Sequence, residues 1–214
     1  MTFDINDIIR TIIIQAPPLL FALTVHELAH GAVAYKLGDP TAKNAGRLTM
    51  NPLKHLDPFG VIAFIIMRIG WAKPVPVNPR YFRNPRQDML LVALAGPVSN
   101  ILLAIASAFL LYLVLLARYS MPAALSVPIG NMLIASVQIN VMLAIFNILP
   151  IPPLDGSKIL MGLLPPKAAY SYAKLEPYGI LLVLALFYTG VIGWFIMPLI
   201  DFSYRLIMPK MLFL

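Results

Sequence analysis

The chain has 214 residues, of which 60% are hydrophobic and 12% charged, with a net charge of +7 and no cysteine. Soluble domains carry about 25% charged residues, so the composition excludes one and predicts a single membrane-embedded domain over residues 1–214. The missing cysteines exclude disulfides and thiolate ligands, and the basic residues sit in loops between apolar segments, where membrane topology rather than nucleic acid explains them.

Residues 3–15 place Ile5, Ile8, Ile9, Ile12 and Ile13 at helical spacing, with Asp4, Asp7 and Arg10 between them. This predicts an amphipathic stretch at the interface or the entry turn of a first span. Pro17 and Pro18 predict a helix restart, because proline suits a first turn and not a helix interior. Residues 17–35 approach the roughly 20 needed to cross a bilayer. A cleavable leader is not expected: the N-terminus is acidic, and losing the first apolar segment would remove the motif it carries.

That motif is Val25-His26-Glu27-Leu28-Ala29-His30-Gly31. Two histidines four apart share a helix face, so both imidazoles reach one metal ion. Glu27 between them can hold a water on that ion and take its proton. This is the HExxH arrangement of zinc hydrolases. Ionisable groups in a membrane-depth helix are costly and mark function.

Residues 36–58 are polar and rich in turn formers, with a short strand expected over residues 47–50. Residues 59–70 are apolar but only twelve long, which predicts a re-entrant or broken segment rather than a span. Pro74, Pro76 and Pro79 restrict the next stretch to an extended edge or a loop. Short β-strands are therefore possible in the 44–83 region. Residues 89–117 form a long apolar helix containing Gly96, Pro97, Ser99 and Asn100. Residues 127–149 form another, with Asn131, Gln138, Asn140 and Asn147 inside it. A polar segment runs to Glu176, residues 178–200 are a last span, and residues 201–214 are expected at the interface. The fold class is an all-α polytopic membrane protein of about four spanning helices with one short re-entrant segment.

Residues 36–87 hold nine Lys and Arg and residues 150–175 hold three, against four in the rest of the chain. Four crossings then put both basic loops in the cytoplasm. His30 and Asp155 fall on that same side.

A catalytic zinc site takes three protein ligands and keeps a fourth position open. His26 and His30 supply two. His55, the remaining histidine, suits a structural or supporting role better than ligation. Asp155 is the stronger candidate. Pro150, Pro152 and Pro153 break the helix after Asn147, and broken backbone at membrane depth is tolerated where it lines a cavity. Asp155 can turn inward there, and Gly156 permits close approach. Read alone, the same stretch is equally a loop with Asp155 capping the next helix.

The HExxH at residues 26–30, the Asn147-Ile148-Leu149-Pro150-Ile151-Pro152-Pro153-Leu154-Asp155-Gly156 run and the Gly96-Pro97-Val98-Ser99-Asn100 run together resemble the site-2 protease family of intramembrane zinc metalloproteases. The resemblance implies a compact member without a PDZ domain, one zinc ion per chain held by His26, His30 and Asp155, and Glu27 as the catalytic carboxylate. It implies Asn147 near the scissile carbonyl and a substrate-clamping sheet. The expected substrate is a transmembrane protein or peptide in the lipid bilayer, and the expected place is a prokaryotic cell membrane with the site toward the cytoplasm.

Such a site would cut peptide bonds with zinc-activated water and Glu27 as general base. Asn147, with Asn100 and Asn140 as further candidates for contact with substrate, can donate a hydrogen bond to the developing oxyanion. Interhelical hydrogen bonding is the alternative use of those asparagines. Two other functions compete: a metal-binding membrane transporter and an inactive zinc-bound scaffold. Transporters tend to show an internal repeat and several midplane ligands, neither of which is visible. Glu27 discriminates, since proteolysis needs a carboxylate that does not bind the metal.

Overall fold

The computed structural model describes residues 5–58, 60, 72–190 and 192–208. Its first helix, α1 (Ile5–Lys36), runs unbroken through Pro17 and Pro18. The expected restart at the prolines does not occur. Proline costs an interior helix a hydrogen bond and a clash with the preceding turn, yet here the start of the chain and the first span form one continuous helix. The rod ends where Gly38, at φ +103°, reverses the chain. Asp39 N–H reaches back to Ala34 O at 2.9 Å and Gly38 N–H to Tyr35 O at 3.1 Å, the Schellman pattern that needs a left-handed residue after the last turn.

A four-residue helix, α2 (Thr41–Asn44), follows. Single 3₁₀ turns cover Pro52–Lys54 and Pro79–Tyr81. No strand forms among the described residues. One antiparallel bridge joins Leu56 and Ala72, and residues 48–50 form bends. Prolines at 74, 76 and 79 remove the donors that a ladder requires, so among the described residues of the 44–83 region that bridge is what stands where short strands were expected. The expected re-entrant segment at 59–70 lies, apart from Gly60, outside the described residues.

Two long helices pack on α1: α3 (Pro85–Leu116) and α4 (Ala123–Ile148). Ala104, Ala108 and Leu111 of α3 meet Val137, Val141 and Ile145 of α4 in the main core. Small residues let the two backbones approach closely, as membrane helices require when lipid gives apolar packing no advantage over solvent. The opposite face of α3 turns Leu102, Ile105 and Phe109 outward. Three helices among the described residues, Ile12–Lys36 within α1, α3 and α4, are long and apolar enough to cross a membrane.

After α4 come two short helices, α5 (Asp155–Leu163) and α6 (Pro166–Ala173). The expected last span is divided. Helix α7 (Gly179–Tyr188) stops before Gly190, whose φ of +75° leaves the helical region. A π-helical turn, Ile192–Ile196, leads into α8 (Met197–Ile207). The tail expected at the interface is in part this helix: Tyr204 and Ile207 pack on the α3–α4 core, and Met208 is buried in it.

Two contacts hold α5 against α3. Gly162 lies so close to Leu90 that a Cβ would sit 2.9 Å from the leucine Cβ. Arg86, at the start of α3, donates through Nε to Gly162 O at 2.9 Å and through Nη2 to Leu164 O. The arginine satisfies carbonyls left open at the end of α5 and complements the helix dipole there. The first residue of α5 is thereby fixed relative to α3.

Candidate metal centre

His26 and His30 project from the same face of α1 and are both buried. Their rings meet edge to face, with centroids 4.7 Å apart. Asp155 arrives from the start of α5 through the reversal after α4. Prolines at 150, 152 and 153 end the helix, and the Pro152–Pro153 peptide is cis. Tyr172 of α6 donates its hydroxyl to Pro150 O at 2.6 Å. Gly179 lets the chain lie against Pro152, where a Cβ would stand 2.6 Å from the carbonyl carbon. Gly156 packs directly on the carbonyls of Ile148 and Leu149, a space that no side chain can share. The reversal is thus shaped by residues that bar a helix and by glycines that admit close backbone contact.

Three atoms converge. His26 Nε2 and His30 Nε2 are 3.0 Å apart, and Asp155 Oδ2 lies 3.1 Å from the first and 3.2 Å from the second. Both imidazoles use Nδ1 elsewhere: His26 on Asn100 Oδ1 at 2.6 Å, His30 on Val92 O at 2.7 Å. Val92 O can only accept, so His30 carries its proton on Nδ1 and turns a lone pair toward the triangle. The carboxylate oxygen is buried and has no hydrogen-bond partner among the described residues. Lone pairs this close, away from water, repel unless a cation or added protons lie between them.

The donor set fits zinc. Nitrogen and oxygen ligands at about 2.0–2.2 Å around a tetrahedral ion stand about 3.3–3.6 Å apart, close to the edges seen here. Two histidines and a carboxylate are hydrolytic-zinc donors, and three of them leave a fourth position. The Nδ1 partners are of the kind that orients metal-bound histidines. Gly96 of α3 completes the cradle: a Cβ there would fall 2.6 Å from His26 Nε2 and would collide with His30 Nε2 as well. Among the described residues, these three are the group of His, Asp and Glu side chains able to hold a metal ion.

The other expected site residues are dispersed. Glu27 is half-buried and accepts a hydrogen bond from Val75 N–H at 2.7 Å. Asn100 and Asn140 are both 0% exposed and pair with each other, Asn100 Nδ2 to Asn140 Oδ1 at 2.8 Å, on the far side of His26 from the triangle. Asn147 is half-buried and donates Nδ2 to Leu143 O, one turn back in its own helix, at 2.9 Å. His55 stands outside the metal group. It is 2% exposed, and its Nε2–H donates to Thr49 O at 2.9 Å, closing the turn at 49–55.

The extended segment 72–78 covers this end of α1. Lys73, Val75 and Asn78 direct their N–H groups to His55 O, Glu27 Oε2 and Asp39 Oδ2. Buried Arg47 holds the carbonyls of Lys73 and Pro74. Sequence reasoning did not single out Val92 O or the Val75 N–H, because backbone groups carry no side-chain signal. Gly96 was visible only as part of a motif.

Fold and site define an integral membrane protein with a buried group of three side chains able to hold a metal ion, next in sequence to the half-buried carboxylate of Glu27. A model of peptidase family M50 matches residues 117–187, a segment that contains Asn147 and Asp155. Curated relatives carry the name "putative zinc metalloprotease". YwhC of Bacillus subtilis is 45% identical over 86% of this chain and 84% of its own. Rip2 of Mycolicibacterium smegmatis is 30% identical over 82% and 67%. MJ0611 of Methanocaldococcus jannaschii is 45% identical over 63% and 62%. The chain belongs to peptidase family M50. No solved structure matches it.

Proposed function

We propose that this protein is an intramembrane zinc endopeptidase that cuts transmembrane segments of membrane proteins. The observation that carries the reading is the acceptor triangle of His26, His30 and Asp155, inside a bundle of apolar helices and next to Glu27 in sequence. These three residues would hold one zinc ion per chain, which would acidify a bound water and polarise the scissile carbonyl.

Glu27 takes the proton of the attacking water and delivers it to the departing amine. Val75 N–H occupies Oε2, so Oε1 is the oxygen that exchanges the proton. Asn147 keeps a second N–H on its amide for the carbonyl oxygen of the substrate. The substrate must be unwound to be cut, and an extended peptide laid along 72–78 would bond mainly to the carbonyls of that segment. Its prolines have no N–H, and three further N–H groups are already engaged. The excess of basic residues in the loops supports a site on the cytoplasmic side of a prokaryotic cell membrane, a reading that takes the apolar 178–200 region as a fourth crossing.

Glu27→Gln tests this reading. It keeps the shape of the side chain and the acceptor for Val75, but it cannot take a proton. Zinc content of the purified protein should be unchanged. Cleavage of a transmembrane peptide in detergent or liposomes should fall at least about 100-fold, the usual loss of a general base. Undiminished cleavage rejects the mechanism.

A further inference from the structure

We propose that Asn140 and Asn100 form a hydrogen-bond relay that fixes His26 in the tautomer able to bind zinc, so that a residue with no contact to the metal sets its affinity. The inference rests on the zinc reading of the site.

The relay starts at a group that cannot reverse. Ser136 O is a backbone carbonyl and only accepts; Asn140 Nδ2 donates to it at 2.9 Å and lies 3.3 Å from Ser136 Oγ. The amide of Asn140 is therefore oriented, and its Oδ1 faces Asn100. Asn100 Nδ2 donates to that oxygen at 2.8 Å and points toward a second carbonyl, Ala22 O, at 3.4 Å. With both neighbours of Nδ2 acceptors, Asn100 must present Oδ1 to His26 Nδ1, 2.6 Å away. An oxygen there demands a proton on Nδ1, and the lone pair of His26 then lies on Nε2, in the triangle.

Reversing either amide sets carbonyl against carbonyl or N–H against N–H. Both asparagines are 0% exposed, so no water can mend the fault, and buried polar groups without partners are costly. The opposite tautomer would turn an N–H toward Asp155 and remove a ligand. Asn140 and Asn100 are thus positioning residues, acting on zinc through His26. Interhelical packing alone would not require this order of donors and acceptors.

The test is zinc affinity, measured by chelator competition on the detergent-solubilised chain. Asn140→Leu frees the Asn100 amide to turn, and zinc affinity should fall roughly 10- to 100-fold, the usual loss when a partner of a metal-bound histidine is removed. Asn100→Asp in that background supplies a carboxylate that accepts from His26 Nδ1–H in any orientation. Affinity should then return to within about threefold of wild type, a rescue that packing would not give. Equal affinity of wild type and Asn140→Leu overturns the relay, as does a folded double variant as weak as the single one. Nitrogen-15 NMR of the zinc-free wild type needs no variant: His26 should carry a proton on Nδ1, and an Nδ1 without a proton overturns the proposal. A wild type without zinc affinity overturns the parent reading and this one with it.

Discussion

Val75 N–H donates a 2.7 Å hydrogen bond to Glu27 Oε2, tying the extended segment 72–78 to the carboxylate between the two histidines. Val75 is flanked by Pro74 and Pro76, so its N–H is the lone backbone donor of residues 74–76. The bond leaves Glu27 one held oxygen and one free. A general base works only when it is aimed, and this backbone group restricts how the carboxylate can turn.

Val75→Pro deletes that donor with little other change. A residue preceding proline already favours the extended region that proline occupies, so the segment should keep its course. Hydrogen bonds to charged groups contribute about 1.5–3 kcal/mol, which corresponds to roughly 10- to 100-fold in rate. The expected outcome is a drop of that size in kcat for peptide cleavage, with KM and zinc content near wild type. Val75→Ala keeps the N–H and should keep the rate. Equal kcat for Val75→Pro and wild type would show that Glu27 needs no such support.

Gly96 faces the histidines so closely that any side chain must displace them: its Cβ would lie 2.5 Å from His26 Cε1 and 2.6 Å from His26 Nε2. Real Cβ atoms do not approach ring atoms so closely, and α1 and α3 are packed side by side. Gly96→Ala should therefore lower zinc affinity by about tenfold or more, through loss of ligand placement. Chelator competition measures the loss, and circular dichroism should show helix content retained. Wild-type affinity in this variant would mean that the helices part easily and the cradle is soft.

Chemistry carried by side chains is legible in the sequence. His26, Glu27 and His30 lie in one pentapeptide, and their helical spacing is fixed by α-helix geometry. Asp155 is legible because Pro150, Pro152 and Pro153 forbid a continuing helix. Three long helices follow from apolar length alone. What escapes is decided by backbone and by empty space. Val92 O and Val75 N–H look like those of any other residue, and Gly96 matters through an absent Cβ. The apolar run after residue 178 reads as one span because Gly190 can also sit within a helix; only the chain path requires its positive φ. Pro17 and Pro18 err the other way, as a local rule against helix that the long rod of α1 overrides. Asn100 and Asn140 were legible as polar residues on spans, but not the order in which they bond, since that order depends on Ser136 O and Ala22 O.

Asp39 ties the polar loop after α1 to the segment that reaches Glu27. It is 0% exposed. Oδ1 accepts from Thr41 N–H at 2.9 Å and from the Thr41 hydroxyl, and Oδ2 accepts from Asn78 N–H at 2.7 Å. Burial acts to raise this carboxyl, but the Thr41 hydroxyl, the Asn78 N–H and the Thr41 N–H outweigh it and hold the group below the ordinary carboxylate range. With the folded pKa below the unfolded value of about 3.9, the stabilisation is complete above that value and is lost as pH falls through the folded pKa. Asp39→Asn replaces one accepting oxygen with an N–H that faces donors, and should cost about 1–3 kcal/mol near neutral pH. Thermal unfolding of both proteins in detergent gives the check. The gap between them should hold steady from about pH 7 to about pH 5 and narrow below about pH 4. A gap as wide at about pH 3 as at neutrality would show that Asp39 does not hold the 72–78 segment as a carboxylate.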